Sequence, residues 1–184
     1  MASRTQGTFV ALLRGINLGS ANRLAMKDLV ALFEKAGCGD VRTYIQSGNL
    51  VFCAPASVAK GLAEEIRAAI ERGFGMRVPV VLRSADELHA VVRENPFLAA
   101  GADEDKCHVM FLAGKPDKNA CASLDPQRSP PDAFVVKGRE VYLFLPNGMA
   151  RTKLSNGYFD SRLATVSTAR NWRTVLKLVE MTEA

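Results

Sequence analysis

No apolar run in the 184-residue sequence approaches the roughly 20 residues that a membrane-spanning helix requires; runs such as residues 9–13 and 78–82 are far shorter. Histidine occurs only at positions 89 and 108, and neither has a Ser or Cys beside it in a nucleophile motif, so a hydrolytic triad has no local signature. The four cysteines, at 38, 53, 107 and 121, form no Cys-x-x-Cys pair, which excludes the usual zinc and dithiol redox sites and leaves free thiols as the expectation. Asp103-Glu104-Asp105 lacks the spacing of a calcium loop. No Gly-x4-Gly-Lys-Ser/Thr and no Gly-x-Gly-x-x-Gly is present, which disfavours nucleotide binding by those routes. Neither a metal nor a cofactor is expected. The first residues, Met1-Ala2-Ser3-Arg4-Thr5-Gln6-Gly7, run into an apolar segment without a small-residue cleavage site, so the expectation is a cytoplasmic protein without a secretory leader.

What is present is a mildly basic globular composition. The formal charge is +5, from 24 Lys and Arg against 19 Asp and Glu. The excess is concentrated between residues 137 and 177, where eight basic side chains face Glu140 and Asp160, a local balance of +6. Such a segment is either a solvated basic face or an anion-binding one. Three polar clusters interrupt the apolar pattern: Arg14-Gly15-Ile16-Asn17, Tyr44-Ile45-Gln46-Ser47-Gly48-Asn49, and Thr168-Ala169-Arg170-Asn171-Trp172.

The periodicities give an α+β protein. Residues 9–13 read as a buried strand, followed by a connection of unusual length from Gly15 to about Leu24. Met26, Leu29, Leu32, Phe33 and Ala36 recur at helical spacing and stop at Gly37. Alternation through Val41, Thr43 and Ile45 marks a second strand. A turn at Ser47-Gly48 then returns the chain along residues 49–53. Ser57 is the expected cap of a helix with Leu62, Ile66 and Ile70 inward, and residues 78–82 form a fourth strand, with Pro79 expected at an edge or among its first residues. The order is βαββαβ, that of a ferredoxin-like domain over residues 1–83. The remainder, 84–184, reads as a second small α+β domain, with the boundary between 84 and 105. Ser84 and Glu87 make a capping box for its first helix, and Asn95-Pro96 ends that helix. Residues 107–112 form a strand, 134–136 and 140–145 a hairpin, and a short helix precedes Asn156-Gly157. A final helix starts at Thr168 with Trp172, Val175, Leu176 and Val179 on one stripe.

Strand alternation puts Arg42, Tyr44 and Gln46 on one face, with Arg14 at the end of a neighbouring strand. Together they offer a guanidinium fork, a phenol and an amide suited to an anion or a polar ring. Asn17, Ser47 and Asn49 belong to the same loops, and Asn17 serves either to tie its loop to itself or to contact ligand. On the other side Arg170 and Asn171 are read into the first turn of the last helix, where an anion is favoured, and Arg151 and Lys153 can join them. The resulting expectation is a small anionic ligand, phosphorylated compounds included, held between the two domains. The alternatives are a single-stranded nucleic-acid module, for which only Tyr44 has the right strand parity among the aromatics, and a protein-interaction domain without catalysis. Equally, these residues can simply hold the fold. No catalytic residue is identifiable.

Leu12-Leu13-Arg14-Gly15-Ile16-Asn17-Leu18-Gly19, Arg42-Thr43-Tyr44-Ile45-Gln46-Ser47-Gly48-Asn49, Asn95-Pro96-Phe97, Arg151-x-Lys153-Leu154 and Arg170-Asn171-Trp172, in that order, resemble the bacterial family called domain of unknown function 1697. The resemblance covers nearly the whole chain. It implies a ferredoxin-like N-terminal domain followed by a second α+β unit, and it implies no activity. Family members often carry a second glycine, a basic or His residue, and a proline where this chain has Ser20, Ala21 and Ala25, and an Asn where it has Arg173.

Overall fold

A computed structural model describes residues 6–19 and 22–184. The chain is α+β, with two four-stranded antiparallel sheets. It divides into two compact units, Met1–His89 with Leu178–Ala184, and Ala90–Lys177. Among the described residues no helix is long and apolar enough to cross a membrane.

The first unit runs β1 (Gln6–Leu13), α1 (Met26–Lys35), β2 (Gly39–Tyr44), β3 (Asn49–Pro55), α2 (Ala56–Phe74) and β4 (Val80–Ser84), the predicted βαββαβ order. Its strands lie in the order β2-β3-β1-β4. One face, carrying Ala11, Leu13, Leu50 and Phe52, packs on Leu29 and Phe33 of α1 and on Leu62, Ile66 and Ile70 of α2. The register places Arg42, Val51, Val10 and Arg83 in one row of the opposite face, and Tyr44, Asn49, Leu12 and Val81 in the next. That face is no open platform, because Val10, Leu12, Asn49, Val51, Val81 and Arg83 are all buried. Two local expectations change. Pro55 already holds the extended geometry that precedes a helix, so α2 starts before Ser57 and without a side-chain cap; it then leaves helical geometry at Lys60 and Gly61. β4 begins at Val80 rather than 78, since Pro79 has no N–H for the ladder and offers only its carbonyl, which Arg14 N–H meets at 3.0 Å. The capping box of α3 (Ala85–Arg93) forms as expected, with Glu87 Oε2 accepting from Ser84 N at 2.9 Å and Ser84 Oγ from Glu87 N at 3.2 Å.

The second unit contains α4 (Pro96–Ala99), β5 (Cys107–Leu112), α5 (Lys118–Ala122), β6 (Ala133–Lys137), β7 (Glu140–Phe144), α6 (Asn156–Leu163) and β8 (Ser167–Asn171), and leads into α7 (Trp172–Glu183). Asn156-Gly157 does not follow a helix but opens one, with Ser155 Oγ accepting from Tyr158 N at 3.2 Å. The larger correction is β8. Thr168, Arg170 and Asn171 do not start the last helix; they are a strand paired with the other side of β5, from His108↔Asn171 to Leu112↔Ser167. β5 is a central strand and needs a backbone partner on both edges, a demand that outweighs the capping appearance of Thr168. Asn171 is the actual cap, its Oδ1 accepting from Thr174 N at 2.8 Å.

With β8 in place, the second unit repeats the first. Its strand order β6-β7-β5-β8 matches β2-β3-β1-β4 strand for strand. The ladder Phe9↔Ser84 to Leu13↔Val80 has the same register as His108↔Asn171 to Leu112↔Ser167. Each fourth strand carries an arginine at its fourth position, Arg83 buried and Arg170 half-buried, and each donates from Nη1 to the preceding carbonyl at 2.8 Å, Arg83 to Leu82 and Arg170 to Ala169. Even the exits agree, Arg14 N–H to Pro79 O at 3.0 Å and Ala113 N–H to Val166 O at 2.8 Å.

Candidate functional site

The repeat shows what the topology requires and what it does not. The first strand is joined to the first helix by twelve residues, 14–25, in the first unit and by five, 113–117, in the second. The central hairpin turns through four residues, 45–48, in the first and two, 138–139, in the second. Both enlarged connections belong to the first unit, and they bond to each other.

Asn17 makes that bond. Its Nδ2 donates to Leu24 O at 2.9 Å and to Gln46 O at 3.0 Å, while its Oδ1 accepts from Leu24 N at 2.9 Å. The backbone reinforces it, with Asn17 N–H on Asn22 O at 2.9 Å and Asn22 Nδ2 on Gly15 O at 3.1 Å. The loop winds through left-handed conformations at Gly15, Asn17, Gly19 and Asn22, residue types that adopt them at low cost. Ile16 and Leu24 anchor it in the core. The side chain of Asn17 is therefore fully used in shaping the loop. Asn49 does the same for the hairpin: buried, it donates to Tyr44 O at 3.3 Å and Ser47 Oγ at 2.8 Å.

Gln46 is not on β2 with Arg42 and Tyr44. The strand ends at Tyr44, and Ile45 turns into the left-handed region with φ 49°, which breaks the alternation and moves Gln46 into the turn. A β-branched residue there is a true outlier, and 54 % of its surface is exposed. The consequence is that Gln46 joins Asn17 at an open cavity of about 690 Å³. Its walls are Asn17, Gly19, Arg23, Leu24 and Ala25 from the loop, Met26 and Asp28 from α1, Gln46 from the turn and Phe74 from the end of α2. The helix α1 starts at this cavity without a side-chain cap on Ala25.

The other predicted residues take other places. Arg14 leaves β1 half-buried, and Tyr44 ends β2 on the face away from α1 and α2. Arg42 is occupied by the chain's own end, donating to Met181 O at 2.9 Å, with Asp40 at 3.3 Å. In the second unit Arg151 and Lys153 are exposed; the Lys153 backbone N–H donates to Ser129 Oγ at 3.0 Å and its carbonyl accepts from Arg128 Nε at 3.2 Å. Arg170 is half-buried on β8, its Nη1 donating to Thr168 Oγ1 at 2.7 Å, and desolvation pulls the pKa of its guanidinium down to about 10. It braces the sheet. His108 lies on β5 with a buried Nδ1 that has no hydrogen-bond partner among the described residues, and desolvation lowers its pKa. His89 sits within 3.5 Å of Thr182 Oγ1 and 3.7 Å of Glu183 Oε1. Among the described residues no three His, Cys, Asp or Glu side chains gather.

Sequence reasoning missed Asp28, Met26 and Phe74, and passed over Arg23. Phe74 carried a usable signal, an aromatic at the end of an amphipathic helix just before the left-handed Gly75. Ser20 and Ala21 lie outside the described residues.

A family model covers residues 7–142, from β1 through β7. The chain belongs to the family described as protein of unknown function, DUF1697. This DUF1697 member also has a solved structural neighbour, described as the conserved bacterial protein SP0830 from Streptococcus pneumoniae, with a TM-score of 0.72 at 21 % identity over 97 % of this chain and 99 % of the other. That likeness is one of fold. No curated protein is matched. For the DUF1697 motifs, the structure supplies physical roles: Asn17 locks the long loop, Asn49 locks the hairpin, Asn95 caps α4 through Phe97 N at 3.0 Å, and Asn171 caps α7.

Proposed function

We propose that this protein binds a small anionic ligand in the cavity of its first unit, with Arg23 as the principal counter-charge. The observation that carries the reading is that the two connections enlarged beyond what the repeated topology needs are the two that Asn17 ties together around one cavity. Long ordered loops held on a rigid scaffold are where binding residues concentrate. The polar groups of the loop frame are spent on each other, whereas the side chains of Arg23 and Gln46 have no partner among the described residues and remain available. The cavity volume falls in the range of small-molecule sites. Among the described residues its walls hold no Ser, Cys, His or Lys, so chemistry from these walls rests on electrostatic stabilisation rather than on a side-chain nucleophile. The nucleic-acid alternative draws less support, because the sheet face away from the helices is buried.

Titration calorimetry with a panel of phosphorylated and carboxylated metabolites tests the reading. A charge-assisted hydrogen bond contributes about 1.5–3 kcal/mol, so Arg23→Ala weakens binding roughly 10- to 100-fold. Binding that is indifferent to Arg23→Ala removes the site. A response only to oligonucleotides, falling steeply with salt, transfers the function to nucleic acid.

A further inference from the structure

We propose that the ligand is a nucleoside phosphate or a close analogue, that is, an anionic group joined through a hydroxyl-bearing linker to a flat ring. This rests on the reading of the cavity as an anion site and specifies what else the ligand carries.

Three features of the cavity call for more than an anion. The first is size, since about 690 Å³ leaves most of the space unfilled by a phosphate or a short sugar phosphate. The second is Phe74, whose ring forms part of the wall at the end of α2 and is 39 % exposed although the residue is large and apolar. An exposed aromatic lining a cavity offers a stacking surface for a planar ring. The third is Asp28. An ionised carboxylate only accepts hydrogen bonds, and beside a bare anion it would be repulsive. It suits a ligand that brings hydroxyl or amino donors to that wall and keeps its own charge at Arg23. Gln46 has both a donor and an acceptor on one amide, free among the described residues and held in place through its backbone by Asn17, and it matches the edge of a heterocyclic base. Cation, carboxylate, amide and aromatic thus divide into complements for phosphate, hydroxyl, base edge and base face. The glycine-rich fingerprints of the common nucleotide folds are absent, so recognition here runs through side chains on an enlarged loop rather than through a phosphate-wrapping backbone.

The test compares inorganic phosphate, ribose 5-phosphate, adenosine and the four nucleoside 5′-monophosphates by calorimetry on the full chain. At least one monophosphate is expected to bind about tenfold or more tightly than ribose 5-phosphate. Phe74→Ala should remove that advantage, bringing the monophosphate down to the affinity that the same variant shows for ribose 5-phosphate, while Arg23→Ala weakens both. Phe74→Leu, which keeps apolar volume without the flat face, should also lose most of the advantage and carries the test if the alanine variant does not fold. Monophosphates no tighter than ribose 5-phosphate, or an advantage that survives both Phe74 variants, overturns the inference and leaves the anion site standing. Failure of every phosphorylated probe overturns the inference, and failure of the carboxylated metabolites as well overturns the anion site with it.

Discussion

Removing the side chain of Asn17 should unfasten the loop that the fold itself does not need. Asn17→Ala deletes three hydrogen bonds, to Leu24 N, Leu24 O and Gln46 O, at 2.9–3.0 Å. At about 1 kcal/mol each, tempered by partial exposure, they amount to roughly 2–3 kcal/mol. Asn17 also sits at φ 55°, and alanine pays roughly 1 kcal/mol more than asparagine for a left-handed conformation. The total, about 3–4 kcal/mol, corresponds to a midpoint drop on the order of 10 °C. Asn17→Gly separates the two contributions, since it loses the same bonds without the backbone strain and should lie about 1 kcal/mol above the alanine variant. Asn17→Asp is the sharper control. It is nearly isosteric and keeps the acceptor for Leu24 N–H, but it turns an ionised oxygen toward two carbonyls that require a donor, so it should be no more stable than alanine. Thermal unfolding by circular dichroism gives the midpoints, and amide exchange reports whether Leu24 N–H loses protection. An alanine variant within about 2 °C of the parent, or an aspartate variant equal to it, would refute the clamp.

Two further outcomes follow from the same structure. Gly48 lies at φ 77° with a virtual Cβ 2.7 Å from Leu13 Cβ and 3.0 Å from Ile16 Cδ1, whereas one at Gly15, at φ 74°, meets nothing within 4 Å among the described residues. Gly48→Ala should therefore cost about 2–4 kcal/mol and Gly15→Ala only about 1 kcal/mol, read as denaturation midpoints; equal costs would show that the close approach is absent. Burial lowers the pKa of His108 below its ordinary 6.5, so the unfolded chain binds that proton more readily than the folded one. Stability from this residue is complete above pH 6.5 and is lost as pH falls through the depressed folded value. Unfolding midpoints should decline between pH 7 and 5, above the range where Glu64, Glu71 and Glu94, also depressed, add their own loss. His108→Gln should flatten the decline, and an unchanged slope would assign it to other groups.

Local chemistry determined much of this protein. The apolar run of residues 9–13, the return strand at 49–53, the helical stripe from Met26, the Ser84/Glu87 capping box and the hairpin across Gly138 are all dictated within a few residues, and they appear as read. The unusual length of the connection after Leu13 was legible too, and with it the region of the candidate site. Tertiary structure decided three matters. It made Ser167–Asn171 a strand, because β5 needs a second partner and only distant pairing supplies one, and that strand reveals the repeat. It took Gln46 off the sheet, through a left-handed Ile45 that no propensity favours, and set it against Asn17. Finally, it brought Arg23, Asp28 and Phe74 to one cavity from the loop, α1 and α2. A side chain's neighbours across the sequence are set by how helices pack on a sheet, and neither period nor motif records which loop ends meet there.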